Sequence, residues 1–401
     1  MDQENVLTSD ERDEIVKRYR KLLKTSSRFL SRGEIRQIRK AFDLALQSNT
    51  KLRRKSGEPY IYHPLAVAQI AVEEIGLSTD SVICALLHDA YSEDLIPTSL
   101  IREKFNPQLV NLLDGINKLS GLYTHNLKYQ TENFISLFLT ISNDVRIILI
   151  KLADRLHNIR CYEYFEPEKQ IKIASETRLI YAPIAHRLGL YNIKTEMEDL
   201  SLKVLKPQVY DGIFKKIEET KGKRKKYIDV FTAPIQKELE KTGLQFAIKS
   251  RVKSVNSIWN KMQKQNVEFE EVYDLFAIRI ILKKLDLSNE KAACWNVYSI
   301  VSNLYQPSPE RLRDWITTPK SSGYESLHTT VLGPDNKWVE IQIRTDRMDE
   351  IAEKGHAAHW KYKESGKESA HDQWLRKIRE LIENPQMQDF DLSNQPLPQN
   401  P

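Results

Sequence analysis

Two carboxylates, Asp274 and Glu340, lie in a stretch from about 249 to 345 that also supplies Arg251, Lys253, Lys261, Arg279, Arg311, Arg313 and Lys320. A carboxylate pair that holds Mg²⁺ amid such cations suits phosphate-group transfer, a chemistry of positioning and charge neutralisation. Over 337–345 the residues alternate. Val339, Ile341 and Ile343 face one way, and Glu340, Gln342 and Arg344 face the other. Asp274 precedes the segment 275–282, apolar apart from Arg279, and so stands at the mouth of a buried strand. No Gly-x-x-x-x-Gly-Lys-Ser/Thr loop occurs, which argues against a P-loop enzyme.

The N-terminal half offers a second group: His63, the dipeptide His88-Asp89, and Asp154. Two imidazoles and two carboxylates suit Mn²⁺ or Fe²⁺ better than a thiolate-seeking metal, and such an ion can bind a phosphate oxygen and activate water. A lone His-Asp dipeptide means little by itself, since chance supplies one in many chains of this length.

The elements that must carry these residues differ between the halves. To about residue 200 the apolar positions recur at helical spacing, as in Leu65, Ala68, Val72 and Ile75, or Ile141, Val145, Leu149 and Leu152. Pro64 marks a helix start beside His63, and Gly76 marks its end. From about 195 to 240 the chain is charged and still helical. Strand-like segments follow at 244–252, 273–282, 326–332 and 337–345, the last two joined by Gly333-Pro334-Asp335-Asn336. The stretch 389–401, rich in Pro, Gln and Asn, reads as a linker.

With 401 residues the chain is long enough for two or three domains, and a hydrophobic fraction of 40% beside 29% charged residues describes a globular protein. No run of about 18 apolar residues is available to cross a bilayer. The N-terminus is acidic rather than signal-like, and the three cysteines, Cys84, Cys161 and Cys294, have no metal-like spacing. A cytoplasmic protein with ordinary thiols is expected. The net charge of +6 is spread out, and its densest run, Lys221 to Lys226, reads as a solvated face before it reads as an RNA contact.

The run Arg54-Lys55-Ser56-Gly57-Glu58-Pro59-Tyr60-Ile61-Tyr62-His63-Pro64 and the run Lys151-Leu152-Ala153-Asp154-Arg155-Leu156-His157-Asn158-Ile159-Arg160 resemble the hydrolase half of RelA/SpoT-type alarmone enzymes, whose helical domain is of the HD phosphohydrolase type. Further on, Ser250-Arg251-Val252-Lys253, Val272-Tyr273-Asp274-Leu275, Arg311-Leu312-Arg313-Asp314-Trp315-Ile316, the run from Lys320 to Thr330, and Glu340-Ile341-Gln342-Ile343-Arg344 are similar to the synthetase domain of the same family. The resemblance spans about residues 30 to 385. It implies an all-α HD-type hydrolase domain at 1–200, a helical connector at 201–240, an α/β nucleotidyltransferase-like synthetase domain with a mixed sheet at 241–385, and a tail at 386–401.

By the same resemblance, pyrophosphate would pass from ATP to the 3′-hydroxyl of GTP or GDP, giving pppGpp or ppGpp. Asp274 and Glu340 would bind Mg²⁺, with Glu340 also taking the hydroxyl proton. Arg251, Lys253, Lys261 and Arg279 would grip the ATP phosphates. Tyr324 would stack on guanine, with Lys320, His328 and Gln342 around the acceptor and Arg313 in a short charged motif nearby. In the hydrolase half, His63, His88, Asp89 and Asp154 would hold Mn²⁺, Arg54, Lys55, Ser56 and Asn158 would contact the alarmone, and Glu93 and Asp94 would position the attacking water. The family is associated with ribosomes through a C-terminal half beyond this chain, and no membrane partner is implied.

The sequence departs from the family pattern at three places. Glu93 and Asp94 follow His88 by five and six residues where the family has four and five, which amounts to one residue inserted within Ala90-Tyr91-Ser92. Cys161 stands in place of threonine, and Arg313 in place of the more usual lysine. Besides a two-activity enzyme, two alternatives stay open: a synthetase with a hydrolase-impaired regulatory HD domain, and an RNA- or ribosome-binding module. His359, in the family-like stretch 353–360, is read as structural or near the site.

Overall fold

The computed structural model describes residues 7–28, 30–122, 144–272, 275–320 and 323–354. They fall into two compact units, which divide between Met197 and Glu198.

The first unit is helical. Its helices are α1 (Ser9–Ser26), α2 (Arg32–Asn49), α3 (Tyr62–Ile70), α4 (Thr79–Ser92), α5 (Thr98–Lys104), α6 (Pro107–Leu122), α7 (Val145–Arg160), α8 (Pro167–Glu176) and α9 (Ala182–Arg187), and α10 (Tyr191–Leu205) follows. Thr8 with Glu11 and Ser31 with Glu34 close capping boxes at the starts of α1 and α2, each reciprocally satisfying orphan backbone donors. The end expected at Gly76 is found there. α3 runs into a π turn at Ala71–Ile75, and Gly76 stops it at φ 80°, a left-handed conformation that glycine adopts without a Cβ penalty.

The helix α4 is the centre of this unit. Val82 through His88 are all buried, and α4 packs on α2, α3, α6 and α7. A helix apolar on every side must be enclosed, and that enclosure fixes where His88 points. Across the α6–α7 contact, a Cβ added at Gly115 would run into Ile147. Gly115→Ala is therefore expected to destabilise the protein by about 1–3 kcal/mol despite alanine's better helix propensity, and Ile147→Val should recover part of the loss. Denaturant unfolding of the two single variants and the double variant checks both.

The second unit is α/β, as the change of period implied. It contains α11 (Pro207–Glu219), α12 (Lys221–Glu240), α13 (Val255–Gln265), α14 (Glu290–Leu304) and α15 (Asp346–Lys354). Its strands are β1 (Phe246–Val252), β2 (Phe276–Leu282), β3 (Gln306–Pro307), β4 (Arg313–Asp314), β5 (Leu327–Leu332) and β6 (Trp338–Thr345). The sheet order is β1-β2-β6-β5-β3, with β4 on β5. The pair β2–β6 is parallel and the others are antiparallel. One face, with Ile278, Ile280, Leu282, Val339, Ile341, Ile343, Leu327 and Val331, packs on α12 and α14. Within the charged sequence of α12, Phe231, Ile235 and Leu239 form a wholly buried stripe at helical spacing. Lys221, Lys223, Lys225 and Lys226 are exposed at its start. No helix among the described residues is long and apolar enough to cross a membrane.

Candidate functional sites

In the helical unit, His63 comes from the first turn of α3, His88 and Asp89 from α4, and Asp154 from α7. These helices pack on one another, and one ligand atom each from His63, His88 and Asp154 lie within 4.8 Å of one another. Asp89 adjoins them: its Oδ2 is 3.3 Å from His63 Nε2 and its Oδ1 is 3.2 Å from His88 Nε2. His63 Nε2 also lies 3.4 Å from Asp154 Oδ1. The four residues expected to share a metal therefore do meet.

The donor set fits a divalent cation. His88 Nδ1 is 2.9 Å from the carbonyl of Ala85, so Nδ1 carries the proton and donates. Its buried Nε2, left with a lone pair, has no hydrogen-bond partner. A lone pair 3.2 Å from the Asp89 carboxylate without a shared proton is an arrangement that a cation relieves. The carboxylates are themselves held. Tyr60 Oη donates to Asp89 (3.0 Å), while Lys151 Nζ (2.8 Å) and Asn158 Nδ2 (2.7 Å) donate to Asp154. Burial alone would raise the Asp154 carboxyl, but the adjacent Lys151 charge together with His63 and His88 outweighs it and holds the group well below the ordinary range.

The other residues expected here divide. Arg54 reaches Asn158 Oδ1 at 3.4 Å, and through Asn158 it joins the cluster. Lys55 and Ser56 lie on the tight turn beside it. Lys55 faces Glu166 at 3.6 Å, and Ser56 donates to Glu58 at 3.1 Å. Glu93 caps the C-terminus of α4, and Asp94 follows at φ 54°. Both are exposed, and among the described residues no hydrogen bond or ion pair joins either to His63, His88, Asp89 or Asp154. The helix stays regular through Ala90, Tyr91 and Ser92, with Tyr91 Oη bonded to Asp114 and Ser92 to Asn117.

In the α/β unit the sheet register draws residues from five strands into one row. Lys249 is opposite Arg279, Arg279 is opposite Gln342, Gln342 is opposite His328, and His328 is opposite Arg313. The next row sets Arg251, Ala277, Glu340 and Thr330 side by side on the same face. Gln342 Nε2 donates to Glu340 Oε1 at 2.8 Å and its Oε1 accepts from Arg279 Nε at 3.2 Å. Lys253 Nζ stands 3.6 Å from Glu340 Oε2, and His328 Nδ1 stands 3.7 Å from Glu340 Oε1. Tyr324 Oη meets His328 Nε2 at 2.8 Å. Enclosure, opposed by the Glu340 charge, pushes His328 down to about 4, so the imidazole is neutral near pH 7.

Lys320 starts the turn that carries Tyr324. Its carbonyl accepts from Gly323 N–H at 2.7 Å, and its ammonium lies 4.6 Å from the Trp315 ring centroid. Lys261 sits half-exposed on α13, the helix that leaves β1. Asp274 and His359 lie outside the described residues.

Three guanidiniums crowd this face. Arg279 pairs with Glu353 at 2.6 Å, and Arg251 and Arg344 lie 3.9 and 4.0 Å from the same carboxylate. Arg344 is wholly buried. Burial, together with Arg279, pulls Arg251 and Arg344 below their ordinary values. Behind the row, Arg347 bridges Glu290 and Glu325, both at 2.6 Å, and so ties the residue after Tyr324 to the start of α14.

Two family matches cover these two sites. Residues 250–367 match the region found in RelA / SpoT proteins, and residues 41–191 match an HD domain. The guanosine-3′,5′-bis(diphosphate) 3′-pyrophosphohydrolase of Aquifex aeolicus is 39% identical over 353 residues, 86% of this chain and 49% of that protein. The chain is of the RelA/SpoT type. Similar matches are the GTP pyrophosphokinase of Myxococcus xanthus, 39% identical over 86% of this chain and 45% of that protein, and the bifunctional (p)ppGpp synthase/hydrolase SpoT of Escherichia coli K12, 38% identical over 88% and 50%. The chain thus spans about half the length of the curated relatives it matches. Among solved structures, small alarmone synthetase 2 of Bacillus subtilis matches at 25% identity with a TM-score of 0.28, over 40% of this chain and 87% of that one.

Several residues of this RelA/SpoT-type chain enter the sites without having been given a role from sequence. Lys151 and His157 lie in the motif that carries Asp154, at helical distances of three on either side, so a helical wheel would have placed them on its face. Tyr60 sits three residues before His63. Arg344 continues the polar alternation of β6 but is buried, and Glu353, first residue of the family-like stretch 353–360, had no role until α15 brought it to the arginines.

Proposed function

We propose that the α/β unit transfers pyrophosphate from ATP to the 3′-hydroxyl of GTP or GDP, and that the helical unit hydrolyses the 3′-pyrophosphate of the product. The observation that carries the first activity is the row Arg279–Gln342–His328–Arg313 with Glu340 and Lys253 beside it, a cationic sheet face built around one carboxylate. Arg251, Lys253, Lys261 and Arg279 neutralise the ATP phosphates. Tyr324 meets the guanine, while Lys320, His328, Gln342 and Arg313 border the acceptor. Glu340 accepts the hydroxyl proton as the 3′-oxygen attacks the β-phosphorus of ATP, the bond to the α-phosphate oxygen breaks, and AMP leaves. Asp274 and Glu340 would hold Mg²⁺, which would supply charge neutralisation for the phosphates when bound.

For the second activity, His63, His88, Asp89 and Asp154 would hold Mn²⁺, which acts as Lewis acid and water activator when bound. Arg54, Lys55, Ser56 and Asn158 orient the alarmone. Water then displaces the ribose 3′-oxygen, releasing pyrophosphate and GDP or GTP. A second reading, a synthetase whose HD domain is hydrolase-impaired, is favoured by the exposed position of Glu93 and Asp94 beyond the end of α4.

Two incubations test these readings. With ATP, Mg²⁺ and GTP or GDP, the expected products are AMP and the 3′-pyrophosphorylated nucleotide, and their absence sinks the first activity. With ppGpp and Mn²⁺, pyrophosphate release is expected, whereas intact ppGpp leaves the hydrolase-impaired reading standing.

A further inference from the structure

We propose that His157 is a positioning residue that fixes the proton of His63 on Nδ1 and thereby presents the His63 Nε2 lone pair to a metal; this rests on the metal reading of the helical unit. His63 Nδ1 and His157 Nδ1 are 2.9 Å apart, so one donates and the other accepts. The two rings alone leave the direction open, and Arg54 settles it. Its NH1 lies 3.4 Å from the same His157 Nδ1. A guanidinium has donors and no acceptor, so His157 Nδ1 must be the lone-pair side of that ring. His63 Nδ1 is then the donor. In the neutral ring its Nε2, 3.3 and 3.4 Å from Asp89 and Asp154, is then the lone-pair nitrogen.

The same logic continues outward. With Nδ1 accepting, neutral His157 carries its proton on Nε2, which faces Cys161 Sγ at 3.8 Å, within reach of that weak acceptor. His157 is held by α7, the helix that supplies Asp154, so one element sets both a ligand and the group that orients another. His88 has its own orienting partner in the Ala85 carbonyl. For His63 an imidazole performs the task that a carboxylate or carbonyl usually performs.

The test measures Mn²⁺ affinity by titration calorimetry on the whole chain. His157→Leu, which removes the acceptor, is expected to weaken Mn²⁺ binding by about 10- to 100-fold, the usual effect of losing such a partner. His157→Asn, whose Oδ1 can take the place of Nδ1, should restore most of it. Thermal unfolding of each variant separates this loss from misfolding. Independently, two-bond ¹H–¹⁵N spectra of the metal-free protein should show His63 protonated on Nδ1, with that preference lost in His157→Leu. Wild-type Mn²⁺ affinity in His157→Leu, or a His63 proton on Nε2 in the unsubstituted protein, would overturn the proposal. If the unsubstituted protein binds no Mn²⁺ at all, the metal reading fails instead, and the ring-nitrogen spectra still decide the tautomer.

Discussion

Glu340→Gln is expected to lower AMP formation from ATP and GTP by about 10³-fold or more while leaving ppGpp hydrolysis and the unfolding midpoint nearly unchanged. The amide keeps the size of the side chain, and its oxygen can still accept from Gln342 Nε2, so the sheet face has no reason to rearrange. What it loses is the negative charge facing Lys253 and His328 and the capacity to take a proton. Proton transfer by a positioned base contributes about 10²–10⁴-fold, and a lost metal ligand adds to that. Product analysis by nucleotide chromatography, with hydrolysis followed in parallel, gives both numbers on one preparation. Full synthesis by the variant would refute the role given to Glu340. An equal loss of both activities would point to misfolding.

The sequence carried the face of each strand but not its neighbours. The alternation in 337–345 placed Glu340, Gln342 and Arg344 together, and the observed β6, Trp338–Thr345, agrees with it. It could not say that Arg279 flanks Gln342, because that side of the row depends on a parallel pairing of β2 with β6 across a long stretch of intervening chain, whereas the β5–β6 hairpin that brings His328 to the other side closes across the short turn at 333–336. The two-residue strands at Gln306–Pro307 and Arg313–Asp314 had no period to read. In the helical unit, His63, His88, Asp89 and Asp154 were legible as residue types on separate helices, whereas the role of Lys151 depends on its burial and that of His157 on its contact with the His63 ring. A lysine in a helix reads as solvated until packing encloses it. Glu353 was less legible still, since only the path of α15 brings it to Arg279.

The buried Lys151–Asp154 pair separates the structural and metal-binding parts of one carboxylate. Asp154→Asn is expected to abolish measurable Mn²⁺ binding and also to destabilise the protein by about 3–5 kcal/mol, because Lys151, only 9% exposed, is left as an uncompensated buried charge. Adding Lys151→Met removes that charge and preserves the length of the side chain, so the double variant should regain most of the stability. It should not regain Mn²⁺ binding, since the anionic ligand is still missing. Denaturant unfolding in metal-free buffer measures the first effect, and titration calorimetry measures the second. Stability that returns together with metal affinity would mean that Asp154 acts only by holding Lys151. An Asp154→Asn variant as stable as the unsubstituted protein would mean that Lys151 finds another anion, with Asp89, whose charge also acts on it, the candidate in this cluster.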